Sequence, residues 1–147
     1  MTSNELAGDR DVTGVVEAAV EDAGLLLVEF SQVRAGRRTL LRVFVDRPGR
    51  VTIGECAKLS RDIEEVLENE DAIDGPWVIE VSSPGVGRPL RSDTDWKRVV
   101  GRRLSVDLDE GTFEGTLGGY DGRVLTFDDG RIVPVTMVRK AVEVLAE

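Results

Sequence analysis

The side chains best suited to chemistry in this chain lie in one short segment, EVSSPGVGRPLR, which begins at residue 80. Ser82 and Ser83 offer hydroxyl groups, while Arg88 and Arg91 offer guanidinium groups that can hydrogen-bond to phosphate. Two prolines fix the backbone and Gly85 permits conformations closed to other residues, so the segment forms a semi-rigid elbow. The elbow is suited either to a phosphate backbone or to a joint between domains. Turn chemistry alone accounts equally well for its serines and glycines.

A second set of cations is the better RNA candidate by charge. These side chains belong to a predicted hairpin and comprise Arg34, Arg37, Arg38 and Arg42. Residues 34–50 carry a net charge of +5, residues 55–74 carry −6 and residues 88–103 carry +4, in a chain whose total is −9. Local basic stripes decide whether a phosphate backbone is attracted, so the negative total does not exclude RNA. Ordinary solvated faces, or a strand edge protected by charge, would give the same pattern.

The composition restricts the other kinds of site. The chain has no histidine and one cysteine, so Ser-His-Asp and Cys-His sites and the usual zinc ligand sets cannot be built. No Walker A sequence is present, and the GVG of the elbow is too short for a dinucleotide fingerprint. We therefore predict a protein that is not an enzyme and binds no metal or cofactor. The absence of an internal disulfide, of a long apolar run and of a signal peptide predicts a cytoplasmic protein.

The elements that precede the elbow follow the order α-β-β-α-β. Helical spacing of apolar residues ends at Gly24, a usual stop signal, and Thr52 with Glu55 forms a capping box that starts the second helix. The predicted helices cover residues 12–23 and 52–69, and the predicted strands cover residues 25–33, 39–46 and 77–82. Two helices packed on one face of a three-stranded sheet make an α+β domain, which we assign to residues 1–90.

After the elbow the pattern becomes β-rich. Ser92 and Asp95 predict the cap of a short helical turn, and five short strands with tight turns follow, one turn being placed at residues 118–122. We predict a small SH3-like or Sm-like barrel in residues 91–147. Loops and strand edges of such folds bind protein segments or RNA. The candidate contact residues, which could equally be ordinary solvent positions, are Arg102, Arg103, Tyr120, Arg123 and Arg131. The two tryptophans are predicted to pack in the core or between domains rather than to stack on bases.

Several blocks of the sequence resemble the bacterial ribosome maturation factor RimP family. One block is LRVFVD from Leu41, followed by Pro48-Gly49, Val51-Thr52, Cys56 and Ser60-Arg61. The most specific block is EVSSPG, two variable positions and RPL, which this chain carries from Glu80 to Leu90. The chain departs from the family at Gly87, where members commonly have an aspartate before the Arg-Pro. The loss of that carboxylate predicts a looser elbow.

The resemblance implies a non-catalytic factor for assembly of the small (30S) ribosomal subunit. Such a factor would act as a monomer in the cytoplasm and bind precursor ribosomal RNA and the ribosomal protein near the decoding region. It would release the subunit once that region is mature, having favoured the native arrangement by mass action. An α/β N-terminal domain and an SH3-like barrel are implied as well.

Two other functions remain open from the residues. A free-standing RNA-binding regulator with a KH-like α/β domain is the main alternative, although no GXXG loop joins two helices. A small enzyme that uses a pair of acidic residues near the elbow would need a pocket with shifted carboxylate pKa values.

Overall fold

The computed structural model describes residues 2–145, with side chains described from Val12 onward. Its helices and strands, in chain order, are α1 (Thr2–Asp22), β1 (Leu26–Ala35), β2 (Arg38–Asp46), α2 (Ile53–Asn69), β3 (Trp77–Ser82), α3 (Asp93–Arg98), β4 (Arg103–Leu108), β5 (Gly111–Tyr120), β6 (Val124–Phe127), β7 (Ile132–Pro134) and β8 (Lys140–Glu143). The chain is α+β, with the predicted α-β-β-α-β order before the elbow. None of the helices in the described part of the chain is long and apolar enough to cross a membrane.

Contacts between residues divide the chain into two compact units. The first unit contains Met1–Asp46 and Val51–Ser83, and the second contains Arg47–Arg50 and Pro84–Glu147. The division therefore falls inside the elbow, before the predicted boundary at residue 90. The short segment 47–50, which connects β2 to α2, makes its contacts with the second unit. Independent folding of the two units stays a prediction.

The first unit packs two helices against a three-stranded sheet of order β1-β2-β3. Strand β2 is antiparallel to β1 and parallel to β3. Alternation along β2 decides which face is buried, since Leu41, Val43 and Val45 are inaccessible to solvent whereas Arg38 and Arg42 are exposed. The buried side chains of β2 share one core with both helices, whose contributions are Val12, Val16, Val20, Leu59, Ile63 and Leu67.

The predicted signals at the helix ends of the first unit are confirmed. The backbone N–H of Glu55 donates to Thr52 Oγ1 at 3.0 Å, and the backbone N–H of Thr52 donates to Glu55 Oε1 at 2.9 Å, which completes the capping box of α2. Gly24 follows α1 with a φ of +73°, the left-handed conformation that favours glycine. Helix α1 begins at Thr2, earlier than the predicted start at residue 12.

The second unit combines α3 with five antiparallel strands in the order β7-β6-β5-β4-β8. The predicted cap of α3 is confirmed, because Ser92 and Asp95 form a complete capping box. The apolar core of this unit consists of Leu90, Trp96, Val99, Leu104, Val106, Leu117, Leu125, Phe127, Val133 and Ala141. Leu90 of the elbow and Trp96 of α3 both pack in this core.

The turn predicted at residues 118–122 is wrong in its first half. Strand β5 continues to Tyr120, and its pairing with β6 shifts register between Leu117 and Gly119. A Cβ atom on Gly118 would lie only 2.6 Å from Asp128 Oδ1, so a larger residue there would require the Asp128 side chain to move. Two adjacent glycines therefore mark a bulge in a strand rather than the end of one.

Candidate nucleic-acid interface

The tip of the β1–β2 hairpin presents the densest group of exposed cations. A two-residue turn at Gly36-Arg37, with Gly36 at a φ of +66°, brings Arg34 and Arg38 to the ends of the paired strands. Arg34 donates from Nη1 to Thr39 Oγ1 at 3.3 Å, which holds its guanidinium beside the strand. Within the described residues, no carboxylate forms an ion pair with Arg34, Arg37 or Arg38. The three positive charges are therefore available to an external anion.

The sheet face that carries Arg38 and Arg42 is a surface that the sequence reasoning did not single out. Arg42 pairs across the sheet with Glu80, with 3.3 Å between Arg42 Nε and Glu80 Oε2, and both side chains are exposed. A neighbouring row of apolar side chains crosses all three strands and consists of Val33, Leu40 and Val78. Val33 is 48% exposed and Val78 is 39% exposed. The signal for this row was the alternation along β2, which places Leu40 on the same face as Arg42.

The elbow is divided between the two units. Ser82 ends β3 and Ser83 follows it, and both serines are exposed on the first unit. Pro84 is buried, whereas Gly85 is exposed and Arg88 is half-buried within the second unit. The predicted cluster is therefore divided into two groups, one in each unit.

The second half of the elbow is fixed by hydrogen bonds along β8. The backbone N–H of Gly87 donates to the carbonyl of Glu143 at 3.2 Å, and that of Leu90 donates to the carbonyl of Ala141 at 2.9 Å. Gly87 has a φ of +84°, which glycine adopts without strain. A backbone hydrogen bond therefore holds Gly87 beside β8, and the looser elbow stays a prediction.

Asp95 fixes the position of Arg91 at the end of the elbow. Its Oδ2 accepts the backbone N–H of Arg91 at 2.9 Å and that of Ser92 at 3.1 Å, and its Oδ1 accepts Arg98 Nε at 3.2 Å. Burial raises the pKa of Asp95, but the two backbone hydrogen bonds and the charge of Arg98 outweigh that effect and lower the pKa overall. The lowered pKa favours the ionised carboxylate. Asp95 binds the backbone of Arg91, and the Arg91 side chain is exposed.

Arg102, predicted as an exposed contact residue, is instead buried at 7% exposure. Its Nη1 lies 3.4 Å from Oε1 of the buried Glu143, and its Nη2 donates to the carbonyl of Arg47 at 2.8 Å. Arg50 donates to the other carboxylate oxygen of Glu143. Arg102 therefore anchors segment 47–50 within the second unit. Alternation continued back from β4 places Arg102 on the same face as the buried Leu104 and Val106, so its burial agrees with that pattern.

The other predicted contact residues of the second unit are accessible but dispersed. Arg103 Nε lies 3.3 Å from Glu114 Oε1, in an exposed cross-strand pair. The Arg131 guanidinium lies 3.9 Å from the ring centroid of Phe113, a cation–π contact, and Arg123 is exposed beside β6. These side chains do not form a cluster comparable with the hairpin tip.

Tyr120 is half-buried and makes a short hydrogen bond to an acid. Its hydroxyl donates to Asp93 Oδ1 at 2.5 Å. This bond raises the pKa of Tyr120 to about 12, because losing the phenolic proton would place two negative charges side by side. The same bond, with Lys97, lowers the pKa of Asp93. The pair joins α3 to β5.

The other reactive groups are the Cys56 thiol and the acidic side chains. Burial, with help from the charges of Glu55 and Asp46, raises the pKa of the Cys56 thiol, so its thiolate is disfavoured. Among the described residues, no group of three or more histidine, cysteine and acidic side chains could hold a metal ion.

A comparison with known protein families identifies the N-terminal part of the chain. Residues 15–87 match the family model of the RimP N-terminal domain. The matched region includes the C-terminal part of α1, the arginine hairpin, α2, β3 and the elbow as far as Gly87. The chain therefore belongs, through this N-terminal domain, to the RimP family of ribosome maturation factors.

Proposed function

We propose that this protein is a non-catalytic assembly factor for the small (30S) ribosomal subunit. It acts as a monomer in the cytoplasm and binds precursor ribosomal RNA, together with the ribosomal protein near the decoding region, until that region is mature. The observation that carries the proposal is the family match over residues 15–87, since the matched domain contains the unpaired arginines of the hairpin.

The hairpin is the proposed primary contact with RNA. Arg34, Arg37 and Arg38 extend from a narrow two-stranded tip, a shape that can enter a groove or follow a phosphate backbone. Arg42 lies further along the same sheet, and its exposed partner Glu80 would exchange easily for a phosphate because exposed ion pairs are weak. The net charge of −6 over residues 55–74 would repel RNA from α2 and so restrict contact to the hairpin side.

The elbow supplies a second proposed contact. Ser82 and Ser83 carry exposed hydroxyl groups on the first unit, and Gly85 leaves its backbone accessible. Arg91 is exposed, and Asp95 fixes the backbone to which its side chain is attached. Arg88 is half-buried, which favours a role in holding the elbow shape over one in phosphate binding.

We propose that the five-stranded sheet of the second unit closes into an SH3-like barrel that contacts the ribosomal protein. Short strands around a single apolar core support this architecture. The accessible side chains available for that contact are Arg103, Tyr120, Arg123 and Arg131. Arg102 is left out of the contact set because its guanidinium is committed to Glu143 and Arg47.

Sedimentation of cell extract through sucrose gradients, at low and at high salt, tests the proposal. Phosphate contacts release counterions, so their strength falls steeply as salt rises. We expect the protein to migrate with free small subunits at low salt and to leave them at high salt. Migration at the top of the gradient under both conditions would contradict the proposal and favour a free-standing RNA-binding regulator with a KH-like domain.

A further inference from the structure

Strand β3 forms one edge of the three-stranded sheet in the first unit. Its pairing with β2 runs from Trp77 to Ser82 without a shift of register. The opposite edge differs, because the pairing of β1 shifts register between Leu27 and Glu29. Such irregularities protect an edge strand from further pairing. Of the two edges of this sheet, β3 is therefore the more regular one and the better able to accept another strand.

Every second residue of β3 directs its backbone toward the open edge. The carbonyl of Pro76 accepts the backbone N–H of Thr39 in β2 at 3.0 Å. In a parallel pair, residues whose backbone groups face the neighbouring strand alternate with residues whose groups face away. The N–H and carbonyl groups that face the open edge therefore belong to Trp77, Ile79 and Val81. In the part of the chain that the structure describes, no strand pairs with this side of β3.

A groove between β3 and α2 runs beside this edge. Two cavities, of about 420 Å³ and about 590 Å³, lie along it, and Ile79 lines both. Trp77 lines the first cavity and Val81 lines the second, and all three side chains are only half-buried. Ile53, at the start of α2, also lines the second cavity and is 90% exposed. Side chains of an added strand could therefore bury accessible apolar surface here.

The charges along the groove select the kind of partner. Glu64 and Glu68 line the cavity at the start of β3, and neither forms an ion pair within the described residues. No basic side chain lines either cavity among those residues. The surrounding segment 55–74 carries a net charge of −6. This surface repels nucleic acid and attracts a basic protein segment.

We propose that a basic, extended segment of a protein partner adds to β3 as a further strand of the sheet. Its backbone pairs with the open groups of β3, and its alternate apolar side chains enter the groove. Main-chain pairing supplies affinity in this mode of recognition, and the groove supplies specificity. The segment runs antiparallel to β3, because antiparallel pairing is the more stable per residue. Lysine or arginine side chains near its C-terminal end then reach Glu64 and Glu68. This contact is distinct from the RNA contact proposed for the hairpin.

Hydrogen exchange followed by nuclear magnetic resonance on the full ¹⁵N-labelled chain tests the pairing. The probe is a short capped peptide in which valine and threonine alternate, with a pair of lysines at its C-terminal end. We expect the amides of Trp77, Ile79 and Val81 to exchange freely in the chain alone and to become protected when the peptide binds. The amides of Val78 and Glu80 face β2 and should be protected in both states.

Two results of this measurement would overturn the proposal. One is the absence of protection at the open-edge amides when the peptide is saturating. The other is protection in the chain without peptide that grows with protein concentration, since a second copy of the chain would then occupy the edge.

Charge variants separate the groove from a general attraction of cations. Glu64→Gln together with Glu68→Gln should weaken peptide binding by about fivefold, because each solvent-accessible ion pair contributes little. The control Glu21→Gln together with Glu65→Gln removes two exposed acids that line neither cavity, and it should leave binding nearly unchanged. Equal weakening in the two variants, or equal binding of a peptide with glutamates in place of the lysines, would contradict the assignment of a basic partner.

Discussion

The two arginine-rich regions of this chain have similar charge in sequence but use it in opposite ways. At the hairpin tip of the first unit, Arg37 and Arg38 are exposed and no described carboxylate pairs with them. In the second unit, Arg98 and Arg102 are buried against Asp95 and Glu143. The first arrangement leaves charge for an external anion, whereas the second uses it to hold the fold. The number of arginines in a segment therefore does not indicate a binding surface until their partners are known.

The largest expected effect is on the stability of the second unit. Glu143→Gln removes the carboxylate charge that faces Arg102 and Arg50, and it leaves the buried Arg102 guanidinium without its counter-charge. We expect the free energy of unfolding to fall by about 3 kcal/mol, measured by urea denaturation.

A matched exposed pair provides the control for that variant. Glu114→Gln breaks the solvent-exposed pair with Arg103 and should change the free energy of unfolding by less than about 0.5 kcal/mol. Equal losses in the two variants would mean that burial does not distinguish these ion pairs.

The next effect concerns the boundary of the second unit. A fragment of residues 84–147 keeps the elbow hydrogen bonds to β8 and the buried Leu90, whereas a fragment of residues 91–147 loses them. We expect both to be folded by circular dichroism, with the longer one more stable by about 2 kcal/mol, because burial of a leucine contributes about that much. Equal stability would place the boundary at residue 90, and an unfolded longer fragment would refute independent folding.

Variants of the hairpin should have a smaller effect, which falls on binding to precursor subunits and leaves stability unchanged. The combined change Arg34→Gln, Arg37→Gln and Arg38→Gln should weaken binding to precursor subunits by about tenfold and reduce its dependence on salt. The melting temperature should stay nearly constant, because exposed side chains contribute little to folding. A matched variant with Lys58→Gln, Arg61→Gln and Lys97→Gln removes three charges elsewhere, and comparable weakening there would refute a specific role for the hairpin.

The smallest effect is a local pH dependence in the second unit. The pKa of Tyr120 is raised to about 12, so its bond to Asp93 stabilises the fold fully below the ordinary tyrosine pKa, and that stabilisation is lost as pH rises through about 12. The lowered pKa of Asp93 acts at low pH. The stabilisation that its carboxylate provides is lost as the pH falls through the pKa of Asp93 in the folded protein.

The single tyrosine of the chain allows a direct titration of this pair. Ultraviolet absorbance should show phenol ionisation near the raised value in the wild type and close to the ordinary pKa of about 10 in Asp93→Asn. Circular dichroism recorded at each pH identifies any unfolding. A wild-type titration near the ordinary pKa, with the fold intact, would contradict the hydrogen bond.

Local features were predictable because their causes lie within a few residues. The capping boxes at Thr52 and Ser92 and the stop at Gly24 each depend on one turn of chain, and all three are present. The candidate interface was predictable only in part. The alternation along β2 predicts that Arg38 and Arg42 are exposed. It also places Leu40 on their face, in the apolar row with Val33 and Val78.

Features that depend on distant partners could not be predicted from local patterns. Glu143 lies 41 residues from Arg102 and 93 residues from Arg50, so nothing near either arginine indicates that it pairs with this carboxylate. The register shift at Gly118 lies in the pairing of β5 with β6, and the sequence around Gly118 does not reveal that pairing. Sequence patterns identified the charged segments, and tertiary pairing decided which of them face solvent.

Comparison of binding to immature and mature small subunits is the most direct test of the central claim. Purified protein would be pelleted with each kind of subunit over a range of concentrations at low salt. An assembly factor must lose affinity as its target matures, so we expect binding to mature subunits to be weaker by about tenfold or more, a coupling within the usual range. Equal binding to both kinds of subunit, or binding to neither, would contradict the proposed function.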